Sequence, residues 1–166
     1  MEIANADCTT APSTVVERFE AASRVTDKGD GTWHYEIAIH NVNSRRAARA
    51  YTIAFPAGTT LFNAGAHVIA HHSGEPYTTE DWTTDVTGNV VTWSTDDYGT
   101  NANANALRWA TTFSFWVDAD QPPQDGSTHT LALFVPGTPA ELAVPFAAIF
   151  GDGFEHGTEP WAGSVP

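Results

Sequence analysis

The sequence predicts an all-β fold: a two-layer antiparallel β-sandwich, immunoglobulin-like or jelly-roll-like, of about nine strands. Three observations carry this. Leu107, Trp109, Thr111, Phe113, Phe115 and Val117 fall on every second position, with Arg108, Ala110, Thr112, Ser114 and Asp118 among the residues between or beside them. A period of two sends one set to a buried sheet face and the other to the opposite face. The same alternation returns in at least five other segments, and no 3.6-residue pattern replaces it. Turn residues punctuate these segments at the spacing of a sandwich.

The first hairpin joins residues 15–26 to 32–42 through Asp27-Lys28-Gly29-Asp30-Gly31, a run rich in residues that accept positive φ. In its second strand Trp33, Tyr35, Ile37 and Ile39 share one face, and His34, Glu36, Ala38 and His40 share the other. Tyr51, Ile53 and Phe55 alternate until Pro56-Ala57-Gly58 stops the strand. A shorter strand is expected over 65–71, ended by Ser73-Gly74-Glu75-Pro76. Trp82 to Val86 and Val90 to Ser94 form a second hairpin around Gly88-Asn89. A polar loop, Asp96 to Asn105, leads into the strongest strand, which Pro122-Pro123-Gln124-Asp125-Gly126 closes. Thr128 to Val135 and Leu142 to Phe146 supply the last two. The expected organisation is an N-terminal segment over 1–13, the sandwich over 14–148, and an acidic Gly-rich tail over 149–166.

With 166 residues, 42% of them hydrophobic, and six Trp with nine Phe, the chain can bury a core without staples. Seven basic residues against 20 acidic ones give a net charge of −13. Such a surface repels phosphate backbones, which argues against nucleic acid and anionic membranes as partners. No run approaches the ~20 apolar residues of a membrane span. Cys8 is the only cysteine, so it is a free thiol or a link between chains. Ala4-Asn5-Ala6 before Asp7 has the small-x-small shape of a signal-peptidase site. Together with a single lysine, Lys28, and many Thr, Asn, Asp and Gly residues, it makes a secreted, extracellular protein the expectation, with a mature start near Asp7.

Asn41-Val42-Asn43-Ser44-Arg45, His72-Ser73-Gly74-Glu75-Pro76-Tyr77 with Asp81-Trp82-Thr83, Asn103-Ala104-Asn105-Ala106-Leu107-Arg108-Trp109, Phe115 to Asp120, and Leu133 to Pro139 form a set of blocks. They resemble an uncharacterised type of secreted bacterial β domain. Ile149-Phe150-Gly151-Asp152-Gly153-Phe154-Glu155, followed by Trp161, is similar to a C-terminal segment shared by many exported bacterial proteins. The resemblance spans roughly residues 25–161. It implies export and a β fold, and no established activity. The chain departs from that pattern near 66–71, where Val68, Ile69, Ala70 and His71 replace expected acidic and aromatic positions.

Three constellations could carry chemistry. Imidazole is the commonest side-chain ligand of zinc and copper, which makes His67, His71, His72 and His34 the candidate metal ligands. Regular strand geometry resists the simplest site. His67 and His71 would lie ~13 Å apart, and His71 and His72 would face opposite ways. A bend at Ser73-Gly74, or help from His34 or His40 on another strand, would be needed. His34 and Glu36 share a face ~6.5 Å apart. Asp118, Asp120 and Asp125, with Asp96, Asp97, Asn101, Asn103 and Asn105, offer oxygen ligands of the calcium type, without EF-hand spacing. Local turn bonding and a solvated acidic rim are the simpler reading of these residues.

The third constellation is aromatic. Trp33, Trp93 and Trp109 fit the buried sets, whereas Trp116 breaks phase with Phe115 and lies on the opposite face. Trp116, Tyr77 and Trp82 are the candidate ligand-binding residues, since exposed rings stack on sugar faces. Nucleophilic catalysis finds little support: Ser73 lacks the Gly-x-Ser-x-Gly elbow. Arg45, Arg46 and Arg49 are expected to balance acidic surface, and Arg108 to form an ion pair. The expectation is therefore a secreted noncatalytic module that binds an extracellular polysaccharide or a surface partner. A histidine-ligated zinc or copper protein or metalloenzyme, and a structural or adhesive assembly unit, are the alternatives.

Overall fold

The computed structural model describes residues 2–4, 16–70 and 74–145, and within them every regular element is a β-strand. The strands are β1 (Glu2–Ala4), β2 (Val16–Asp27), β3 (Trp33–Asn41), β4 (Ala48–Ala54), β5 (Leu61–His67), β6 (Thr83–Thr87), β7 (Val90–Ser94), β8 (Thr112–Ala119), β9 (Thr128–Leu133) and β10 (Glu141–Ala143). They form two antiparallel five-stranded sheets, ordered β1-β2-β3-β8-β5 and β10-β9-β4-β7-β6. This is a β-sandwich. Cys8, His71, His72, Ser73 and the tail over 149–166 lie outside the described residues.

The core lies between the sheets, where both alternating patterns turn inward. Phe19, Tyr35, Ile37, Ile39, Phe113, Phe115 and Val117 come from the first sheet, and Tyr51, Ile53, Val91, Trp93 and Leu131 from the second. Tyr51 stacks on Trp93 at 5.7 Å and meets Phe115 at 5.1 Å, so one aromatic group joins the two layers. Offset and tilted ring contacts add specificity to the burial of such large side chains.

Two strands depart most from expectation. The strongest strand begins at Thr112, because Arg108 to Thr111 forms a turn closed by Thr111 N–H donating to Arg108 O, with Ala110 at φ 59°. That turn ends the alternation early and leaves Trp109 64% exposed, so its expected burial is corrected. β5 lies four residues ahead of the expected 65–71 and ends at His67. A bulge between Phe62 and Gly65, with Asn63 at φ 50°, adjusts its pairing with β8.

Buried polar side chains organise the loops. Asn41 donates from Nδ2 to Ser44 O and Leu107 O and accepts from Ser44 N–H, fastening the crossover from β3 to β4. Asn105 donates to Ile69 O and Glu80 O, while its own carbonyl accepts Trp82 Nε1–H at 2.6 Å. Arg108 binds Ala102 O and Ala104 O and lies over the Tyr77 and Phe134 rings at 3.9 and 4.5 Å. Carbonyls and ring faces, rather than the expected ion pair, meet its charge. Arg46 is likewise buried, donating to Val135 O and Pro139 O, and does not balance surface acid as expected.

Candidate binding face

β2, β3, β8 and β5 present one continuous outer face, away from the second sheet. Direct cross-strand partners share a face, so the pairing register builds it row by row. Thr26, His34, Asp118 and Phe62 form the first row; Arg24, Glu36, Trp116 and Gly65 the second. Ala22, Ala38, Ser114 and His67 make the third, and Glu20, His40 and Thr112 the fourth.

Trp116 is the centre of this face. Its partly exposed indole lies across β5 directly over Gly65, where an added Cβ would stand only 2.7 Å from Cε2 and 3.1 Å from Nε1. The missing side chain at Gly65 therefore lets the ring lie down along the sheet surface instead of standing away from it. A groove of about 310 Å³ runs beside it, lined by Ala22, Arg24, Glu36, Ala38, Ser114 and Trp116 among others. A second, of about 500 Å³, continues past Ala22 and Ala38 to Arg18, His40, Thr112 and Pro145. Small side chains in the third row make the floor of both.

The first row is a tightly bonded polar cluster. Asp118 is 2% exposed, and its carboxylate lies 2.5 Å from His34 Nδ1, 2.9 Å from Asn63 Nδ2 and 3.1 Å from Lys28 Nζ. Burial pushes the Asp118 carboxyl up, but the hydrogen bonds from His34, Asn63 and Lys28 outweigh it and hold the group below its usual value. His34 Nε2 stands 3.8 Å from Glu36. Lys28 also lies 6.0 Å from the centre of the Phe62 ring, which is 38% exposed. On the fourth row His40 Nδ1 and Thr112 Oγ1 are 2.8 Å apart.

This arrangement sorts the sequence candidates. Trp82 is 5% exposed, packs edge-on to Phe113 at 5.3 Å and spends its N–H on Asn105, so it is a core residue and not a ligand platform. Tyr77 has its ring face covered by Arg108 and sits in a loop apart from Trp116. Of the aromatic trio, only Trp116 occupies the outer face.

His34 and His67 pair with Asp118 and Ser114, four residues apart on β8, a separation of ~13 Å along the strand. They cannot share one ion, and His34 commits Nδ1 to Asp118. Among the described residues, no group of three or more His, Cys, Asp and Glu side chains is placed to hold a metal ion. The aspartates near the loops are already engaged: Asp97 accepts from Thr100 within its own turn, and Asp120 accepts from Thr60 N–H, 60 positions away. Sequence reasoning missed the bed that Gly65 provides and the His34–Asp118–Lys28–Asn63 cluster. The Asp118 cluster depends on pairing between distant strands. A glycine inside an expected strand was the available signal for a close approach.

No family model matches the chain, and no curated protein matches it in sequence. Among solved structures, a GH20 exo β-N-acetylglucosaminidase from Vibrio harveyi, in complex with N-acetylglucosamine, is similar at 12% identity and a TM-score of 0.47. An inactive mutant of the same enzyme gives the same values. The match covers 80% of this chain and 18% of the enzyme's. Among the described residues, no helix is long and apolar enough to cross a membrane.

Proposed function

We propose that this protein is a noncatalytic, exported β-sandwich module that binds glycan on the outer face of β2, β3, β8 and β5. The observation that carries this reading is the Trp116 indole laid over Gly65. A ring held against a sheet has little freedom to lose on binding, and it can meet the apolar face of a sugar by dispersion. Around it stand hydroxyl, carboxylate and guanidinium groups from Ser114, Glu36 and Arg24, suited to sugar hydroxyls. Composition and the resemblance to secreted bacterial β domains support export.

Affinity electrophoresis through gels containing starch, xylan, mannan, β-glucan or soluble chitin tests the proposal. At least one polymer retards the wild-type protein, and Trp116→Ala weakens that interaction at least about tenfold. A central aromatic anchor typically contributes more than the 1.4 kcal/mol that a factor of ten represents. Unaltered mobility in every gel, or equal retardation of Trp116→Ala, overturns the reading.

A further inference from the structure

Resting on that reading, we infer that the face binds an internal stretch of a neutral polysaccharide, running along the strands from Trp116 towards Arg18, and not a terminal sugar. Two observations beyond Trp116 carry this. The first is continuity. The groove beside Trp116 and the larger one beyond it share Ala22 and Ala38 as lining residues. The combined trough therefore runs past the third row to His40 and Thr112, which pair on the fourth, and on to Arg18. From Trp116 to Thr112 alone the separation along β8 is ~13 Å. A single sugar on the indole leaves this second stretch unfilled, whereas a chain lying across Ala22 and Ala38 reaches it.

The second observation is charge. The whole chain carries −13, yet this face is close to balanced. Arg18, Arg24 and Lys28 stand against Glu20, Glu36, Asp118 and Asp120 among the described side chains. Arg18 contacts Glu20 at 3.1 Å, Lys28 contacts Asp118 at 3.1 Å, and Arg24 is directly across from Glu36. Neither a polyanion nor a polycation meets an uncompensated field here. An uncharged chain of hydroxyls and apolar ring faces matches the small apolar floor and the polar edges. At the far end, His40 engages Thr112 through Nδ1, and its remaining ring nitrogen can serve a hydroxyl.

Isothermal titration of the full chain with disaccharides and hexasaccharides of the cello-, xylo-, manno-, malto- and chito- series tests this. The expected result is a hexasaccharide bound at least about tenfold more tightly than its disaccharide. His40→Ala and Thr112→Ala, both beyond the third row, should remove that length advantage while leaving disaccharide binding at its wild-type value. Trp116→Ala should weaken both lengths. Circular dichroism and melting temperature verify that the two groove variants fold. Equal affinity for both lengths, or a length advantage that survives both groove variants, overturns the extended site. If Trp116→Ala still weakens binding in that case, the glycan reading stands without it. If no oligosaccharide binds and no polymer retards the protein, both fail.

Discussion

At the scale of single residues, the tryptophans show how one side-chain type serves opposite ends. Trp93 is fully buried, Trp82 is 5% exposed, and Trp109 is 64% exposed. Trp82 fills space against Phe113 and Phe115 and satisfies Asn105 O through its indole N–H. Trp82→Ala should therefore cost about 3–5 kcal/mol through the cavity, with a further penalty from the stranded carbonyl. Trp109→Ala should stay within about 0.5 kcal/mol of wild type, as expected for an exposed site. Urea denaturation of both variants checks the contrast. Their sequence contexts do not separate them. Trp109 continues an apolar alternation, whereas Trp82 follows a polar loop, and burial reverses that expectation. The left-handed backbone at Ala110 breaks the phase, and no residue there announces it as a glycine would.

At the scale of elements, the pairing of β5 with β8 decides whether the outer face can work. Gly65 lies directly opposite Trp116 and beneath its ring, just beyond the Phe62–Gly65 bulge. Gly65→Ala should keep the fold, because the obstructing atoms belong to a side chain on the surface and can swing away. The indole would lose its position over the strand, and affinity for the retaining polysaccharide should fall at least about tenfold. Affinity electrophoresis measures that loss, and an unchanged melting temperature with lost retardation separates it from unfolding. Hairpins were the most legible elements. Asp27 to Gly31 and Gly88-Asn89 turn the chain where expected, since turn chemistry is local. β5 departs from its expected position because its small residues, Asn63, Ala64, Gly65 and Ala66, carry almost no alternation.

At the scale of the whole molecule, titratable groups inside and between the layers set a pH window. His129 is 5% exposed, and burial lowers its pKa to about 4 while Tyr51 and the imidazole Nδ1 share a 2.7 Å hydrogen bond. A histidine with a depressed folded pKa binds its proton more readily when unfolded. Its contribution is complete above its ordinary value of 6.5 and is lost as pH falls towards 4. The loss is about 3 kcal/mol, at 1.36 kcal/mol per unit. Asp118, held low by its donors, adds a further loss of the same sign at still lower pH. On the alkaline side, burial raises Tyr35 to about 12 and Tyr51 further, so stability declines as pH climbs above 10. Melting temperatures from pH 3 to 11 should trace this plateau. His129→Gln should flatten the limb between 6.5 and 4; an unchanged limb would show that another group controls it.

The sequence by itself determined that this chain is a β-sandwich, because period-two alternation and glycine-rich turns are properties of neighbouring residues. It also placed Trp116 opposite the buried face of its strand, since phase along one strand suffices for that. Tertiary structure decided everything that depends on which strands lie side by side. Pairing of β3 with β8 brings His34 to Asp118, and pairing of β5 with β8 puts Gly65 beneath Trp116. The same register separates His34 from His67, and packing against Phe113 and Phe115 buries Trp82. Partners 84 and 55 positions apart, as His34 and Asn63 are from Asp118, leave no periodic trace in a linear chain. Only the closing of the sheets brings them together.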